Sequence, residues 1–68
     1  MANITKDMLI MDAVRQGNSQ AIADVLFSVG MHCLGCAAAR GETVEQAALV
    51  HGVDVDELVA RLNEAAES

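Results

Sequence analysis

The chain has 68 residues, 53% of them hydrophobic, with one aromatic residue, Phe27, and a formal net charge of −6 from ten acidic and four basic side chains. A chain of this length makes one small domain that buries roughly 60% of its unfolded surface, which argues against a self-sufficient substrate pocket built from aromatics and long loops. The acidic balance disfavours nucleic acid, whose phosphates are neutralised by Lys and Arg, and disfavours an anionic membrane face for the same reason.

The opening residues, Met1-Ala2-Asn3-Ile4-Thr5-Lys6-Asp7, lack a basic stretch followed by an apolar core. No apolar run approaches the roughly 20 residues that span a bilayer. The expected address is therefore the cytoplasm, where structural disulfides are rare. Ala-rich content without proline favours helix over strand.

In chain order, residues 1–8 read as an extended lead-in to a single domain spanning 1–68. Met8, Ile10, Met11, Ala13 and Val14 predict a short helix that stops at Gln16-Gly17-Asn18. Ser19 is the expected N-cap of a second helix running to about Val29, with Ile22, Val25, Leu26 and Val29 as its buried stripe. Gly30 stands where a helix takes a left-handed terminal residue. Ala37-Ala38-Ala39-Arg40 predicts a short helical turn that Gly41 stops.

Thr43-Val44-Glu45-Gln46 matches a capping box and announces the next helix, whose stripe is Val44, Ala47, Ala48 and His51, with Gly52 at its end. Asp54 caps the last helix, where Val55, Leu58, Val59 and Leu62, continued by Ala65 or Ala66, repeat at helical spacing. A C-terminal tail is expected from about residue 65. No alternating strand pattern competes. The expected fold is all-α: a compact bundle of about four short helices, with a Cys-x-x-Cys turn opening a short helical segment.

Chemistry concentrates in Gly30-Met31-His32-Cys33-Leu34-Gly35-Cys36, which holds both cysteines and one of the two histidines. In a cytoplasmic chain this spacing reads as redox chemistry or metal binding. The C-x-x-C spacing lets two thiols close a disulfide within one turn of backbone, and Gly35 removes a Cβ that would crowd the ring. Two local features favour the thiolate, which is the attacking species in disulfide exchange. They are the free N–H groups opening the 37–40 turn and, when protonated, His32 beside Cys33. By analogy with other vicinal dithiols, Cys33 is the nucleophile and Cys36 the resolving thiol. So short a loop adds little stability through chain entropy, so the value of the disulfide is chemical. The competing readings are metal ligation and inert packing of two small buried side chains.

Zinc or an iron–sulfur cluster normally takes four protein ligands, and one C-x-x-C supplies two. His32 and His51 would complete the set, although His32 adjoins Cys33 at an awkward geometry. Four cysteines shared across a two-fold dimer are the other route. Metal binding ranks second to the redox pair, and no cofactor is favoured. His51 reads as a metal ligand or a base reaching the thiols, against a favoured role as helix C-terminal cap and seam filler. Met8, Met11 and Met31 are expected mainly to fill the core. The acidic residues read as caps and a solvated face, without the spacing of a calcium loop.

The helix from Val44, the turn at His51-Gly52-Val53 and the helix from Val55 resemble a helix-turn-helix. The second helix begins Asp54-Val55-Asp56-Glu57, which is the wrong charge for DNA.

Three runs together carry a family resemblance: Gly30 to Cys36, then Gly41-Glu42-Thr43-Val44-Glu45-Gln46-Ala47-Ala48, then His51 to Leu58 with Leu62-Asn63. They resemble the hybrid-cluster-protein-associated redox disulfide domains, small bacterial and archaeal domains of unknown function, over about Ile4 to Asn63. A more distant similarity is to the N-terminal domain of di-iron proteins that repair iron–sulfur clusters. The resemblance implies a helical fold and a redox-active disulfide between Cys33 and Cys36, and it implies no defined substrate. This chain departs from the pattern with Ala37 where many relatives carry Pro, and with Asn18-Ser19 where Pro and aromatic residues are common. The expected role is a redox accessory or carrier domain, monomeric or weakly dimeric. It would exchange electrons or sulfur with a partner protein that the sequence does not identify, a redox or iron–sulfur protein being one candidate. A purely structural interaction domain is the further alternative.

Overall fold

The computed structural model describes residues 3–30 and 41–68. Among these residues the chain forms four helices and no strand: α1 (Ile10–Val14), α2 (Ser19–Ser28), α3 (Val44–His51) and α4 (Val55–Ala66). The all-α expectation holds, and its reasons are visible at each helix end.

Residues 3–9 do more than lead in. Met8 N–H donates to the Thr5 carbonyl at 3.2 Å, so the stretch contains a turn instead of running extended throughout. Beyond that turn the chain lies along the start of α3. Glu45 N–H donates to Lys6 O at 3.0 Å, Val44 N–H to Met8 O at 2.9 Å, and Leu9 forms an isolated antiparallel bridge with Thr43. These pairings hold Met8 and Leu9 out of the helix, which begins at Ile10 and not at Met8. Five residues are far too few to hold a helix by propensity. What holds α1 is burial of Ile10 and Ala13 and the bond from Ile10 N–H to Glu42 O at 2.9 Å. Met8 packs against the core as expected, but Met11 points outward at 41% exposure, on the face opposite Ile10 and Ala13.

Asn18, not Ser19, caps α2. Its backbone is extended (φ −68°, ψ 94°), and its Oδ1 accepts from Ala21 N–H at 3.2 Å. Ser19 is already helical, and its hydroxyl donates back to Val14 O at 2.9 Å, tying α2 to the end of α1. The two residue types have similar capping strength, so the backbone conformation decides between them. Ile22 and Leu26 are fully buried, whereas Val25 and Val29 pack against the core edge. The helix ends at Ser28.

The capping box on α3 forms in full: Gln46 N–H donates to Thr43 Oγ1 at 3.1 Å, and Thr43 N–H donates to Gln46 Oε1 at 2.9 Å. Thr43→Ala should therefore lower stability by about 1 kcal/mol. That corresponds to a fall of about 4–8 °C in thermal midpoint for a domain of this size. Thr43→Ser should recover most of it, and an unchanged midpoint in Thr43→Ala would show the box to be idle. Gly52, with φ +69°, terminates the helix in the left-handed conformation. Asp54 Oδ1 then accepts from Glu57 N–H at 3.1 Å and opens α4.

Helix α4 is the hub. It packs against α2 and α3, while α1 packs against the same two helices. Leu58, Leu62, Ala65 and Ala66 face inward against Ile22 and Leu26 of α2 and Val44, Ala47 and Ala48 of α3. Val55 and Val59 flank that stripe. Burying each large aliphatic side chain contributes roughly 1.5–3 kcal/mol. No polar side chain is buried among the described residues, and the core they form is aliphatic. At its edge the half-buried Asn63 fastens Ile4 to α4.

Candidate functional site

The expected thiol pair, Cys33 and Cys36, lies with His32 in residues 31–40, outside the described residues, as do Met31 and the expected helical turn at 37–40. What the structure describes is the frame on which that stretch is strung. At one end Gly30 follows α2 with φ +109°, its N–H donating to Phe27 O at 3.1 Å. At the other end Gly41 has φ +66°, and the next residue, Glu42, is fastened to α1 through its carbonyl.

His51 is the one expected site residue that the structure describes. It is half-buried in the last turn of α3, where a basic side chain complements the helix dipole. Its ring lies against Gly30: a Cβ added there would come 3.3 Å from His51 Nδ1 and 3.9 Å from Cε1. The seam position expected for His51 and a place at the root of the thiol-bearing stretch are thus one location. The stripe of α3 signals that His51 turns inward, but Gly30 as its neighbour depends on how α2 and α3 pack.

Beside this contact is an open cleft of about 280 Å³ lined by Val29, Gly52, Val53, Asp54, Glu57, Leu58 and Arg61. It sits just under the roughly 300–1,000 Å³ typical of small-molecule pockets. Two carboxylates and one guanidinium line it, and Arg61 Nη2 also donates to Ser28 Oγ at 3.0 Å. Nothing in the sequence singles out Arg61 beyond its i+4 spacing from Glu57, which sets both on one face of α4. Among the described residues no three His, Cys, Asp or Glu side chains come together to hold a metal ion. None of the helices described is long and apolar enough to cross a membrane.

A family model described as Domain of unknown function (DUF1858) matches residues 4–59. The chain belongs to that family. The matched span takes in Ile4, the first three helices, the whole of 31–40 and the cleft-lining start of α4, so frame and thiol motif both fall within the DUF1858 domain. No curated protein and no solved structure matches this DUF1858 chain.

Proposed function

We propose that Cys33 and Cys36 form a redox pair that cycles between dithiol and disulfide and exchanges electrons, or sulfur, with a partner protein in the cytoplasm. The observation that carries this reading is the Cys33-Leu34-Gly35-Cys36 motif, set in a stretch whose flanking residues are fastened to a helical frame with an aliphatic core. The resemblance to hybrid-cluster-protein-associated redox disulfide domains supports it and points to a redox or iron–sulfur protein as the partner. The acidic net charge supports a protein partner over nucleic acid.

The exchange is balanced as two displacements. The Cys33 thiolate attacks one sulfur of a partner disulfide, forming a mixed disulfide and expelling the other partner sulfur as a thiolate. The Cys36 thiolate then attacks Cys33 Sγ, closing the internal disulfide and releasing the partner's second thiolate. Two electrons pass to the partner, and the protons lost by Cys33 and Cys36 are taken up by its thiols through solvent. The reverse sequence oxidises the partner.

The test is the mass of the anaerobically purified protein, native and denatured, with and without thiol alkylation. The reading expects two alkylations that vanish on mild oxidation with the loss of two hydrogens. Extra mass in the native spectrum that disappears on denaturation would replace it with a zinc or iron–sulfur module. Thiols that resist alkylation and oxidation until unfolding would return them to packing. Cys33→Ser should slow exchange with a model disulfide by at least roughly tenfold, because the variant can neither attack from position 33 nor close the internal disulfide. Exchange at the parent rate would sink the nucleophile assignment.

A further inference from the structure

A second cleft, of about 340 Å³, is lined by Val25, Arg61, Glu64, Ala65 and Ser68. Arg61 also lines the cleft of about 280 Å³, so the two adjoin along one seam, where α2 packs on α4. The floor of the seam is aliphatic, made by Val25 and Val29 of α2 with Val53, Leu58 and Ala65. Its rim is acidic: Asp54 and Glu57 come before Arg61 along the chain, and Glu64 after it. Among the described residues none of these carboxylates is in an ion pair, the one pair being Lys6 with Glu45 at 3.7 Å. Arg61 is turned across to α2 instead. Its Nη2 donates to Ser28 Oγ at 3.0 Å, and Ser28 Oγ in turn donates to Val25 O at 2.6 Å. Glu57 and Glu64 occupy the i−4 and i+3 positions from which a helix ion pair with Arg61 could form, and neither forms one.

We propose that this α2–α4 seam docks a basic amphipathic helix of a partner protein. Val29 lines one cleft and Val25 the other, one helical turn or about 6 Å apart along α2. That is also the separation of side chains at i and i+4 on a docking helix, so one apolar anchor enters on each side of Arg61. The methylenes of Arg61 extend the apolar floor between the two anchors. Charge then selects the flanks of the partner. An acidic helix would meet three carboxylates on a chain of net charge −6, whereas Lys or Arg beside the anchors would pair with Asp54, Glu57 and Glu64. The same charge disfavours a second copy of this chain as the occupant. Every residue invoked lies outside 31–40, so the surface stands independently of the redox reading.

The test is fluorescence anisotropy on the full chain with three labelled helix-forming peptides of about 14 residues. One presents a Leu stripe flanked by Lys, the second the same stripe flanked by Glu, and the third the composition of the first in an order that breaks the stripe. The Lys-flanked peptide should bind at least about tenfold more tightly than either of the others, and added salt should weaken it. Glu57→Lys with Glu64→Lys should weaken it at least about tenfold. Asp7→Lys with Asp12→Lys makes the same change in net charge at residues that line neither cleft, and should stay within about threefold of the parent. Arg61→Met, which keeps an apolar stem and removes the like charge, should tighten binding by at least about threefold. All these side chains are exposed, so the helical circular dichroism should be retained. Equal binding of the peptide with the broken stripe, or an equal loss in the Asp7 and Asp12 variant, would overturn the proposal by reducing the attraction to net charge. Preference for the Glu-flanked peptide would overturn it as well, as would no binding of the Lys-flanked one. If that peptide stays unbound, a dimer in sedimentation that the Glu57 and Glu64 changes shift would assign the seam to a second copy.

Discussion

Gly17→Ala should cost about 3 kcal/mol of folding stability, although Gly17 is exposed and lies in a turn. At about 0.05–0.15 kcal/mol per residue, a 68-residue domain holds about 3–10 kcal/mol in total, so one methyl group would remove much of it. The reason is the end of α4. Asn18 N–H donates to Ala66 O at 3.1 Å, satisfying one of the four carbonyls that a helix leaves open at its C-terminus. The same close approach places the Ala66 carbonyl where a Cβ on Gly17 would collide with its oxygen, and the added atom would sit 2.9 Å from both Ala66 C and Ala66 Cβ. Two of these three atoms are backbone, so relief requires the last turn of α4 to move, exposing Ala65 and Ala66 and breaking the bond to Asn18.

Gly52→Ala is the matched control. At Gly52 a Cβ meets nothing within 4 Å, and the penalty comes from φ +69° alone, about 1–2 kcal/mol. Urea denaturation of the two variants beside the parent separates the effects. A Gly17→Ala loss no larger than that of Gly52→Ala would mean that the α4 terminus frays freely and that its contact with the α1–α2 turn contributes little.

The helices were readable because their signals are local. Thr43 with Gln46, Asp54 with Glu57, and the apolar spacing of Ile22 with Leu26 and Leu58 with Leu62 each fall within one or two turns. The cap of α2 is Asn18, one residue before Ser19, because both are competent caps and only the backbone angle tells them apart. Met11 shows the limit of composition, because an apolar type on a five-residue helix says nothing of which face is covered.

What could not be read were the long-range closures. Ile4 with Asn63, Gly17 with Ala66, and Gly30 with His51 join positions far apart in sequence, and each rests on how helices cross. The site divides in the same way. Cys33-Leu34-Gly35-Cys36 is read from spacing alone and lies outside the described residues, whereas His51 meets Gly30 only because the ends of α2 and α3 lie together.

This division has a functional logic. Under the redox reading proposed above, the reacting thiols would stand on a stretch whose flanking residues are fastened to the helical frame. Here Gly30 is tied to α2 and α3, and Glu42 to α1, by contacts that use none of the cysteine or histidine side chains of 31–40. Beside that root the cleft brings Asp54, Glu57 and Arg61 together.

Asn63→Ala should cost about 2–3 kcal/mol, the second large effect, and its signature should be local before it is global. The Asn63 amide works as a clamp: Oδ1 accepts from Ile4 N–H at 2.7 Å, while Nδ2 donates to Ile4 O at 3.0 Å and to Val59 O at 3.1 Å. Ile4 is 2% exposed, so truncation strands both of its backbone groups next to an aliphatic core, where a lost partner is worth the full desolvation penalty. From Ile4 the effect runs along the chain to the bonds that Lys6 and Met8 accept from Glu45 and Val44, and so to the start of α3. Hydrogen exchange should show the Ile4 amide opening first, then those of Val44 and Glu45, with the α2 amides around Leu26 protected to the global limit. Asn63→Asp sharpens the test. It keeps an acceptor for Ile4 N–H but turns a negative charge toward the carbonyls of Ile4 and Val59, so it should be no more stable than Asn63→Ala. A loss below about 0.5 kcal/mol in Asn63→Ala, with Ile4 still protected, would show that burial of the Ile4 side chain alone seats the N-terminal stretch.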